Sequence, residues 1–341
     1  RLVRPLASFV RHNMTKACVV NAGRLDFDGM IDFCMLELVC GTPVTKHEHH
    51  SPTPSEIAQF AQGHTTLVTK EVPIDVTLLP DSITLICEAG TGYNNIDLTE
   101  ATKRGITVCN VPAYSTDAVA QLVMTQVLNF SCSMHLQIHA NANGDQTLFH
   151  GSNPFKSFGR LAHFELGGKT IGLIGGSGTI GLKTGKLARA FGMNVLVWSR
   201  SAKDCGDGKY KAASDLKELL NNSDFVSIHC PLNAATAGLL NKQTLGWMKP
   251  TAFLINTARG AVIDEDDLIA VLKSKTIAGA ALDVQHPEPP TVSSPLFELN
   301  NVIVTPHIGW KRVETRQRLV NAVAENVRAF LAGAPVNVVN S

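Results

Sequence analysis

Apolar runs of about five residues alternate with amphipathic stretches along most of this chain. The alternation is most regular in the second half, and parallel strands joined by crossover helices produce such a pattern. Strands are predicted near residues 170–175, 194–198, 225–229, 251–255, 277–284 and 302–305, with helices between them. The pattern therefore predicts an α/β fold built from doubly wound parallel sheets, of the Rossmann or flavodoxin-like kind.

The N-terminal hundred residues show a shorter version of the same alternation, and a helical pattern returns over residues 313–331. A chain of 341 residues exceeds what one hydrophobic core usually serves, so two domains are expected. We expect a first domain made of residues 14–113 and 306–341, with a second domain, 114–305, inserted into it. A long helix is predicted to open the inserted domain, from Ser115 to about Ala140.

Composition excludes several classes of partner. The formal net charge of +1 gives no electrostatic reason to expect nucleic acid or an anionic membrane. No apolar stretch reaches the roughly 18 residues needed to cross a bilayer. The eight cysteines form no C-x-x-C pair, and most lie in apolar runs, which favours small buried hydrophobes in a reducing compartment.

The first 13 residues have a different composition from the rest. Arg1, Arg4 and Arg11 alternate with apolar residues, and no acidic residue occurs before Asp26. This pattern is typical of the remnant of a mitochondrial or plastid presequence. The alternative is a cloning scar or translated leader, because Met14 could begin the protein, so cytoplasmic and organellar locations both remain open.

A glycine-rich segment follows the first strand of the regular half. Gly176-Ser177-Gly178-Thr179-Ile180-Gly181 matches G-x-G-x-x-G between a predicted strand and a predicted helix. There the first glycine permits a tight turn, the second lets backbone N–H groups approach a pyrophosphate, and the third allows close packing. Gly176, Gly178 and Gly181 are therefore predicted to bind a dinucleotide, the alternative being a purely structural turn.

The end of the next strand decides the choice of cofactor. An acidic side chain there would accept hydrogen bonds from the adenosine ribose, but this chain has Ser199-Arg200-Ser201. The two serines can hydrogen-bond a 2′-phosphate, and Arg200 can pair with it. The segment predicts NADP(H), with NAD(H) as the alternative if Arg200 is only a solvated surface charge.

Three chemically different side chains follow three of the predicted strands: Arg259, Glu288 and His307. Open α/β sheets bind their ligands beyond the carboxyl ends of the strands, so we expect these three to gather at one site. Each has another reading when taken alone. Arg259 could bridge sheet and helix, Glu288 could lie in a proline-rich surface loop, and His307 could be a core histidine.

With these motifs in order, residues 14–340 resemble the D-isomer-specific 2-hydroxyacid dehydrogenases. Further marks of the resemblance are the segments 89–97, 110–112, 115–120, 229–232, 256–260, 282–284 and 305–310. Within the family, Trp310 and the ending 335–340 are most similar to glycerate dehydrogenases and hydroxypyruvate reductases. The resemblance implies that residues 14–113 with 306–341 bind the substrate and that 114–305 bind NAD(P).

The family's site residues carry over onto matching positions. His307 would be the general acid and base at the substrate oxygen, with Glu288 favouring its protonated form, and Arg259 would bind the substrate's carboxylate and carbonyl. Backbone amides at Thr91 and Gly92 would hold the carboxylate from the other domain, with the substrate in the cleft between the two. Residues implied to line the cofactor groove are Thr179, Ile180, Cys230, Pro231, Thr257 and Asp283, the last facing the nicotinamide.

Some positions depart from the family's pattern or suggest other chemistry. Gly175-Gly176-Ser177 holds one residue more than the family's loop, which leaves open whether Gly175 or Gly176 is the first glycine. Gln285 stands where an aromatic residue is usual. The histidine-rich segment 46–50 suggests a metal, but prolines on both sides favour a solvated loop, and we expect no metal site.

The expected function is reversible hydride transfer between a nicotinamide and a small D-2-hydroxy acid or 2-keto acid. The resemblance favours reduction of hydroxypyruvate or glyoxylate to D-glycerate or glycolate. D-lactate or another D-2-hydroxy acid remains an alternative substrate. A nucleotide-sensing module like the C-terminal-binding-protein corepressors is the alternative from another class. The family implies a homodimer formed through the nucleotide domain, with the helix from Ser115 at the contact.

Overall fold

The computed structural model describes residues 15–144, 161, 163–199 and 210–340. The chain forms two compact units, one of Arg1–Tyr114 with Lys311–Ser341 and the other of Ser115–Trp310. Each contains one parallel sheet, so the predicted α/β class with two parallel-sheet domains is confirmed. The predicted domain boundaries, after residues 113 and 305, remain predictions beside this division.

The first unit is built on five parallel strands in the order β2-β1-β3-β4-β5. From β1 the chain adds β2 on one side of the sheet and then β3, β4 and β5 on the other side. The strand order therefore reverses between β1 and β3, and doubly wound sheets bind their ligands at such switch points. The strands are β1 (Ala17–Val19), β2 (Thr45–Lys46), β3 (Thr66–Thr69), β4 (Leu85–Glu88) and β5 (Thr107–Cys109). The helices are α1 (Ala22–Leu25), α2 (Cys34–Cys40), α3 (Pro54–Phe60), α4 (Leu98–Lys103) and, at the C-terminus, α11 (Val313–Leu331).

The second unit is built on seven parallel strands in the order β12-β11-β10-β9-β6-β7-β8. Its switch point lies between β6 and β9. The strands are β6 (Thr170–Ile174), β7 (Asn194–Trp198), β8 (Lys211–Ala212), β9 (Phe225–Ile228), β10 (Phe253–Asn256), β11 (Gly279–Leu282) and β12 (Val302–Val304). The helices are α5 (Thr116–Ser131), α6 (Met134–Ala142), α7 (Thr179–Ala190), α8 (Leu216–Asn222), α9 (Lys242–Leu245) and α10 (Glu265–Lys273).

Both faces of the seven-stranded sheet are covered. Along β10, Leu254 packs into one apolar cluster, while Phe253 and Ile255 pack into the cluster on the other face. A strand buried on two faces must be apolar throughout, which is why these strands appear in the sequence as continuous apolar runs. The central strands are therefore rigid supports for whatever follows their carboxyl ends.

The single long helix predicted from Ser115 to about Ala140 is wrong. The segment forms two helices, α5 and α6, because Ser133 adopts a left-handed conformation with φ of 50°. Near the end of α5, the Ser131 hydroxyl and the Cys132 thiol both donate to the Leu128 carbonyl, at 2.8 and 3.2 Å. Such side-chain bonds compete with the helical ladder and favour termination. Apolar periodicity does not register a one-residue break of this kind.

Most of the described cysteines are buried, and one histidine of the histidine-rich segment stacks on an aromatic ring. Cys18, Cys40, Cys87, Cys109 and Cys230 are buried, whereas Cys34 is exposed and Cys132 half-buried, so the buried-hydrophobe interpretation does not extend to these two. In the histidine-rich segment, the His47 ring stacks on Phe60 with centroids 3.7 Å apart.

The described part of the chain contains neither a cluster of metal ligands nor a membrane-spanning helix. Within residues 15–144, 161, 163–199 and 210–340, no group of three or more His, Cys, Asp and Glu side chains is placed to hold a metal ion. Within the same residues no helix has the length and apolar character needed to cross a membrane.

Phe130 attaches α5 to the sheet and gives a test of the packing. It is 1% exposed, and its ring stacks on Phe253 with centroids 4.3 Å apart. Phe130→Ala should lower the free energy of unfolding by about 3–5 kcal/mol, since it removes the ring and leaves a cavity. Urea unfolding followed by tryptophan fluorescence measures this, because all three tryptophans lie in the Ser115–Trp310 unit. Phe191→Ala, at a phenylalanine of the same unit that is 45% exposed, is the control and should change the stability much less; equal effects would contradict the assignment.

Candidate active site

The ends of three neighbouring strands form the core of the site. Strands β10, β11 and β12 lie side by side and parallel, with Asn256 opposite Leu282 and Leu282 opposite Val304. Because the three strands end in register, the segments that follow them leave the sheet at the same edge. These segments carry Arg259, Asp283 with Glu288, and His307, so the structure brings the expected strand ends together.

His307 and Glu288 form a hydrogen-bonded pair at this edge. The Nδ1 atom of His307 lies 2.8 Å from Oε1 of Glu288, and the two side chains are 16% and 35% exposed. A carboxylate accepts a hydrogen bond, so this contact places a hydrogen on Nδ1. Proton exchange with a substrate would then take place at Nε2, and a general acid and base needs a ring oriented in this way.

Asp283 fixes the turn that carries His307. Its carboxylate accepts hydrogen bonds from the Thr305 hydroxyl at 2.7 Å and from the amides of Ile308 and Gly309 at 2.8 and 2.9 Å. The Asp283 carbonyl also accepts from the His307 amide at 3.0 Å. His307 itself has φ of 49°, a left-handed conformation that costs a non-glycine residue energy and persists only when its surroundings impose it.

Burial and hydrogen bonding act in opposite directions on the pKa of the Asp283 carboxyl. The residue is 4% exposed. Burial raises the pKa of its carboxyl, while the hydrogen bonds from Thr305, Ile308 and Gly309 lower it, and the net direction is upward. The observed contacts give Asp283 the role of holding the turn, and the contact with the nicotinamide stays a prediction.

Arg259 extends from a segment held by a fully buried asparagine. The Nδ2 of Asn256 donates to the Arg259 carbonyl at 2.9 Å, and Oδ1 of Asn256 accepts from the Ala258 amide at 3.0 Å. These two bonds set the backbone from which the half-buried guanidinium projects, and its Nη1 donates to the Ala258 carbonyl at 2.8 Å. A planar guanidinium that is oriented by a hydrogen bond to its own backbone segment is suited to binding a carboxylate.

Gly260 connects the Arg259 segment to the Glu288 segment, a link that sequence reasoning missed. A Cβ atom at Gly260 would lie 2.0 Å from the carbonyl oxygen of Gln285 and 2.7 Å from the amide nitrogen of His286. The two backbones therefore touch, and only glycine fits between them. The Gly260 in the motif was a signal for such a close approach.

The glycine loop adopts the strand–turn–helix arrangement, with one correction. The left-handed residue of the turn is Gly175, with φ of 76°, rather than Gly176. The Gly175 amide donates to the Trp198 carbonyl at 2.7 Å, and a Cβ there would lie 2.6 Å from the Cys230 amide nitrogen. The tight-turn role predicted for Gly176 thus belongs to Gly175, because the extra residue shifts the turn by one position.

The other glycines of the loop let it pack against the start of α7. A Cβ at Gly181 would lie 2.5 Å from the Gly176 Cα, and one at Gly176 would lie 2.6 Å from the Leu173 side chain. Gly178 is the N-cap of α7, and Thr179 and Ile180 form its first turn. The first N–H groups of a helix have no partner within the helix and favour an anion. The residues present therefore fit a dinucleotide pyrophosphate.

The remaining predicted cofactor residues lie at the ends of β7, β9 and β10. The Ser199 hydroxyl lies 2.9 Å from that of Ser177, so the loop and the end of β7 are joined, whereas Arg200 and Ser201 lie outside the described residues. Cys230 is buried beside Gly175, and burial raises the pKa of its thiol. Among the described residues, the buried Thr257 hydroxyl has no hydrogen-bond partner, and Pro231 accepts a bond from Thr236 at 2.6 Å.

A second histidine in this unit has the opposite character to His307. His229 follows β9, and burial lowers its pKa to about 4. Its Nε2 atom is buried and has no hydrogen-bond partner among the described residues. A ring with that pKa is neutral near pH 7 and cannot supply a proton there, so His229 is not an alternative general acid.

Thr91 and Gly92 belong to the other unit and follow β4. The Thr91 hydroxyl donates to the Val111 carbonyl at 3.1 Å, and the Thr91 carbonyl accepts from Asn110 Nδ2 at 2.8 Å. Thr91 is exposed and Gly92 half-exposed. Within the part of the chain that the structure describes, neither amide N–H donates a hydrogen bond. Two neighbouring backbone amides that have no partner among the described residues can bind an anion.

Comparison with known proteins agrees with this geometry. The family model for the NAD-binding domain of D-isomer-specific 2-hydroxyacid dehydrogenases matches residues 134–309. The chain belongs to this family. A hydroxypyruvate reductase of Blautia hydrogenotrophica is 38% identical over 253 residues, which cover 73% of this chain and 76% of that protein. A glyoxylate reductase of Thermococcus litoralis is 39% identical over 281 residues, covering 81% and 82%.

Solved structures give the same fold. An acyclic imino acid reductase in complex with NADPH and D-Arg superimposes with a TM-score of 0.82 at 28% identity, covering 95% of this chain and 99% of the other. Membership of the D-2-hydroxyacid dehydrogenase family makes this protein an oxidoreductase that uses a nicotinamide coenzyme.

One position departs from the usual pattern of D-2-hydroxyacid dehydrogenases. Gln285, where an aromatic residue is usual, is 5% exposed, and its Nε2 donates to the Leu282 carbonyl at 3.0 Å. The side chain therefore satisfies a carbonyl at the end of β11 and leaves the Gln285 carbonyl to pack against Gly260.

Gly260→Ala tests whether the two backbones position the catalytic groups. The methyl group must push the Gln285–His286 segment away, and a displacement of about 1 Å at a catalytic group lowers kcat/KM roughly 100-fold. Steady-state kinetics measures the loss, with circular dichroism to verify folding. Gly167→Ala is the matched control, because a Cβ at Gly167 meets nothing within 4 Å. Unchanged kinetics in a folded Gly260→Ala protein would show that the contact does not position the site.

Proposed function

We propose that this protein is an NADPH-dependent reductase of hydroxypyruvate or glyoxylate that reversibly forms D-glycerate or glycolate. The observation that carries the proposal is the 2.8 Å His307–Glu288 pair, at the strand edge from which Arg259 also extends. The named relatives, a hydroxypyruvate reductase and a glyoxylate reductase, support the choice of a short 2-keto acid.

The proposed reduction assigns one task to each of the three residues. A bound nicotinamide coenzyme would supply the hydride. Arg259 would bind the carboxylate of the keto acid and polarise its carbonyl, which needs a planar cation with several donors. His307 would give the proton on Nε2 to the carbonyl oxygen, while Glu288 stabilises the ring through Nδ1. In the reverse direction the neutral ring would accept the hydroxyl proton.

Two further assignments rest on the other segments described above. The amides of Thr91 and Gly92 would hold the substrate's carboxylate, since neither N–H donates a hydrogen bond within the described chain. NADPH is preferred in this proposal because Ser199-Arg200-Ser201 replaces the acidic residue that would repel a 2′-phosphate. The NADPH complex of the similar imino acid reductase supports this choice.

A homodimer is also proposed, formed through the nucleotide-binding unit. Leu128 on α5 and Met134 and Ile138 on α6 are exposed apolar side chains, which is the kind of surface that a partner covers. Light scattering on the purified protein measures the mass directly.

A turnover assay tests the reaction. The purified protein should oxidise NADPH when hydroxypyruvate or glyoxylate is added, followed by loss of nicotinamide absorbance. His307→Asn should lower kcat by about 10²–10⁴-fold, because it removes the proton donor, while NADPH binding is retained. No turnover of any small 2-keto acid, with NADPH still bound, would favour the nucleotide-sensing module. Turnover of pyruvate far above that of hydroxypyruvate would favour a D-lactate dehydrogenase.

Arg200→Asp tests the cofactor preference. The new carboxylate should repel the 2′-phosphate and accept hydrogen bonds from a ribose diol, so the ratio of kcat/KM for NADPH over NADH should fall by about tenfold or more. The two efficiencies are measured with the same keto acid. An unchanged ratio would show that Arg200 does not contact the phosphate.

A further inference from the structure

A buried cluster of charged side chains lies at the carboxyl edge of the five-stranded sheet. Lys70 follows β3 directly, and Glu88 is the last residue of β4. Asn21, after β1, holds the Lys70 backbone from both sides: its Nδ2 donates to the Lys70 carbonyl at 2.8 Å and its Oδ1 accepts from the Lys70 amide at 3.0 Å. Lys70 therefore lies at the β1–β3 switch point, where sheets of this order bind their ligands.

The ammonium group of Lys70 is completely buried. Its side chain is 0% exposed, and Nζ lies 2.5 Å from Glu71 Oε1 and 3.4 Å from the Tyr114 hydroxyl. Burial lowers the pKa of Lys70, but Glu71, Tyr114 and Glu88 raise it, and the net direction is upward. The group is therefore charged at neutral pH. Glu71 is also paired with Arg24, at 3.2 Å, on the outer side of the cluster.

Glu88 is the second buried member of the cluster. Its Oε1 accepts from the Glu71 amide at 3.0 Å, and its Oε2 accepts from Asn95 Nδ2 at 2.9 Å. Burial raises the pKa of Glu88 to about 7, while Lys70 and Asn95 lower it. Glu88 is therefore mostly neutral well below pH 7 and mostly ionised above it. Its protonation changes the net charge of the cluster by one unit.

The cluster lies directly beneath the segment that carries Thr91 and Gly92. A Cβ at Gly90 would lie 3.1 Å from Lys70 Nζ and 3.0 Å from Glu88 Oε1. Gly90 thus allows both charges to approach the backbone. Since Thr91 follows Gly90 directly, bond geometry places its amide nitrogen no more than about 7 Å from Nζ. At that range a buried unit charge is only partly screened by solvent, so it acts on an anion bound at the amide.

We propose that Lys70 and Glu88 are positioning residues of opposite charge that set how tightly the Thr91 and Gly92 amides hold the substrate's carboxylate. The inference rests on the proposed function, because it takes those amides as the carboxylate site. Lys70 strengthens the binding of the anion, and ionised Glu88 weakens it. Neither side chain touches the substrate, since both are fully buried.

Opposite effects of two substitutions test this pair. At pH 8, Lys70→Met should raise the KM for hydroxypyruvate or glyoxylate about tenfold, and Glu88→Gln should lower it, because the first removes a positive charge and the second a negative one. The KM for NADPH and the value of kcat should change less than twofold in either variant. The inhibition constant of oxamate, an unreactive anion, should follow the KM of the keto acid.

The pH gives a second readout of Glu88. At pH 6 the effect of Glu88→Gln on the KM should largely disappear, because Glu88 is then mostly protonated. Arg24, Glu71, Lys70 and Tyr114 are the charged or titratable side chains around Glu88, and all four are present in both the variant and the unaltered protein. Comparing the two proteins at each pH cancels every effect of pH that they share.

A matched control separates charge beneath the loop from charge elsewhere. Lys103→Met removes an exposed lysine of the same unit, with a side chain that is 66% exposed, and should leave every constant unchanged. A rise in KM in both Lys70→Met and Glu88→Gln would mean that the cluster only supports the fold, and unchanged KM values in folded variants would mean that it plays no part in binding; either result overturns the proposal. If the unaltered protein reduces no 2-keto acid, the proposed function itself fails, which is a distinct outcome.

Discussion

The buried carboxylate of Asp283 accepts three hydrogen bonds from the turn between Thr305 and Gly309, and its carbonyl accepts a fourth from His307. These bonds hold His307 in a left-handed conformation that a histidine would leave if it were unsupported. In this arrangement the ring meets Glu288, which comes from the segment that follows Asp283. One residue after β11 therefore holds the turn from which His307 reaches Glu288.

This dependence follows from the register of the sheet. Strands β10, β11 and β12 end at the same level, so polar residues that follow them are neighbours even though tens of residues separate them in sequence. At two places the neighbouring backbones come so close that only glycine, which has no Cβ, fits between them. Gly260 lets the Arg259 segment touch the Gln285 backbone, and Gly175 lets the turn after β6 touch Cys230 across the switch point. A close backbone contact at a glycine thus occurs both at the proposed catalytic edge and at the glycine-rich loop.

Much of this could be predicted from the sequence. Apolar runs identified the buried strands, and the rule that ligands bind beyond their carboxyl ends singled out Arg259, Glu288 and His307. The role of Asp283 could not be predicted, since it depends on which strand lies beside β11. The choice of Gly175 over Gly176 depends on a backbone dihedral that residue spacing does not encode. The break at Ser133 depends on a single left-handed residue, which apolar periodicity does not detect.

Lys70 shows a more general reason why sequence reasoning misses such residues. A lysine after a short apolar run is ordinarily a surface residue, because burying a charge in isolation costs far more than folding can offset. Here Glu71 and Glu88 neutralise the cation, yet replacing a buried ionic group with apolar side chains is often neutral or stabilising, so stability alone does not explain why the cluster exists. Its position does offer an explanation. A charged cluster beneath the Thr91 and Gly92 amides can act on a bound anion without occupying the space that the anion needs.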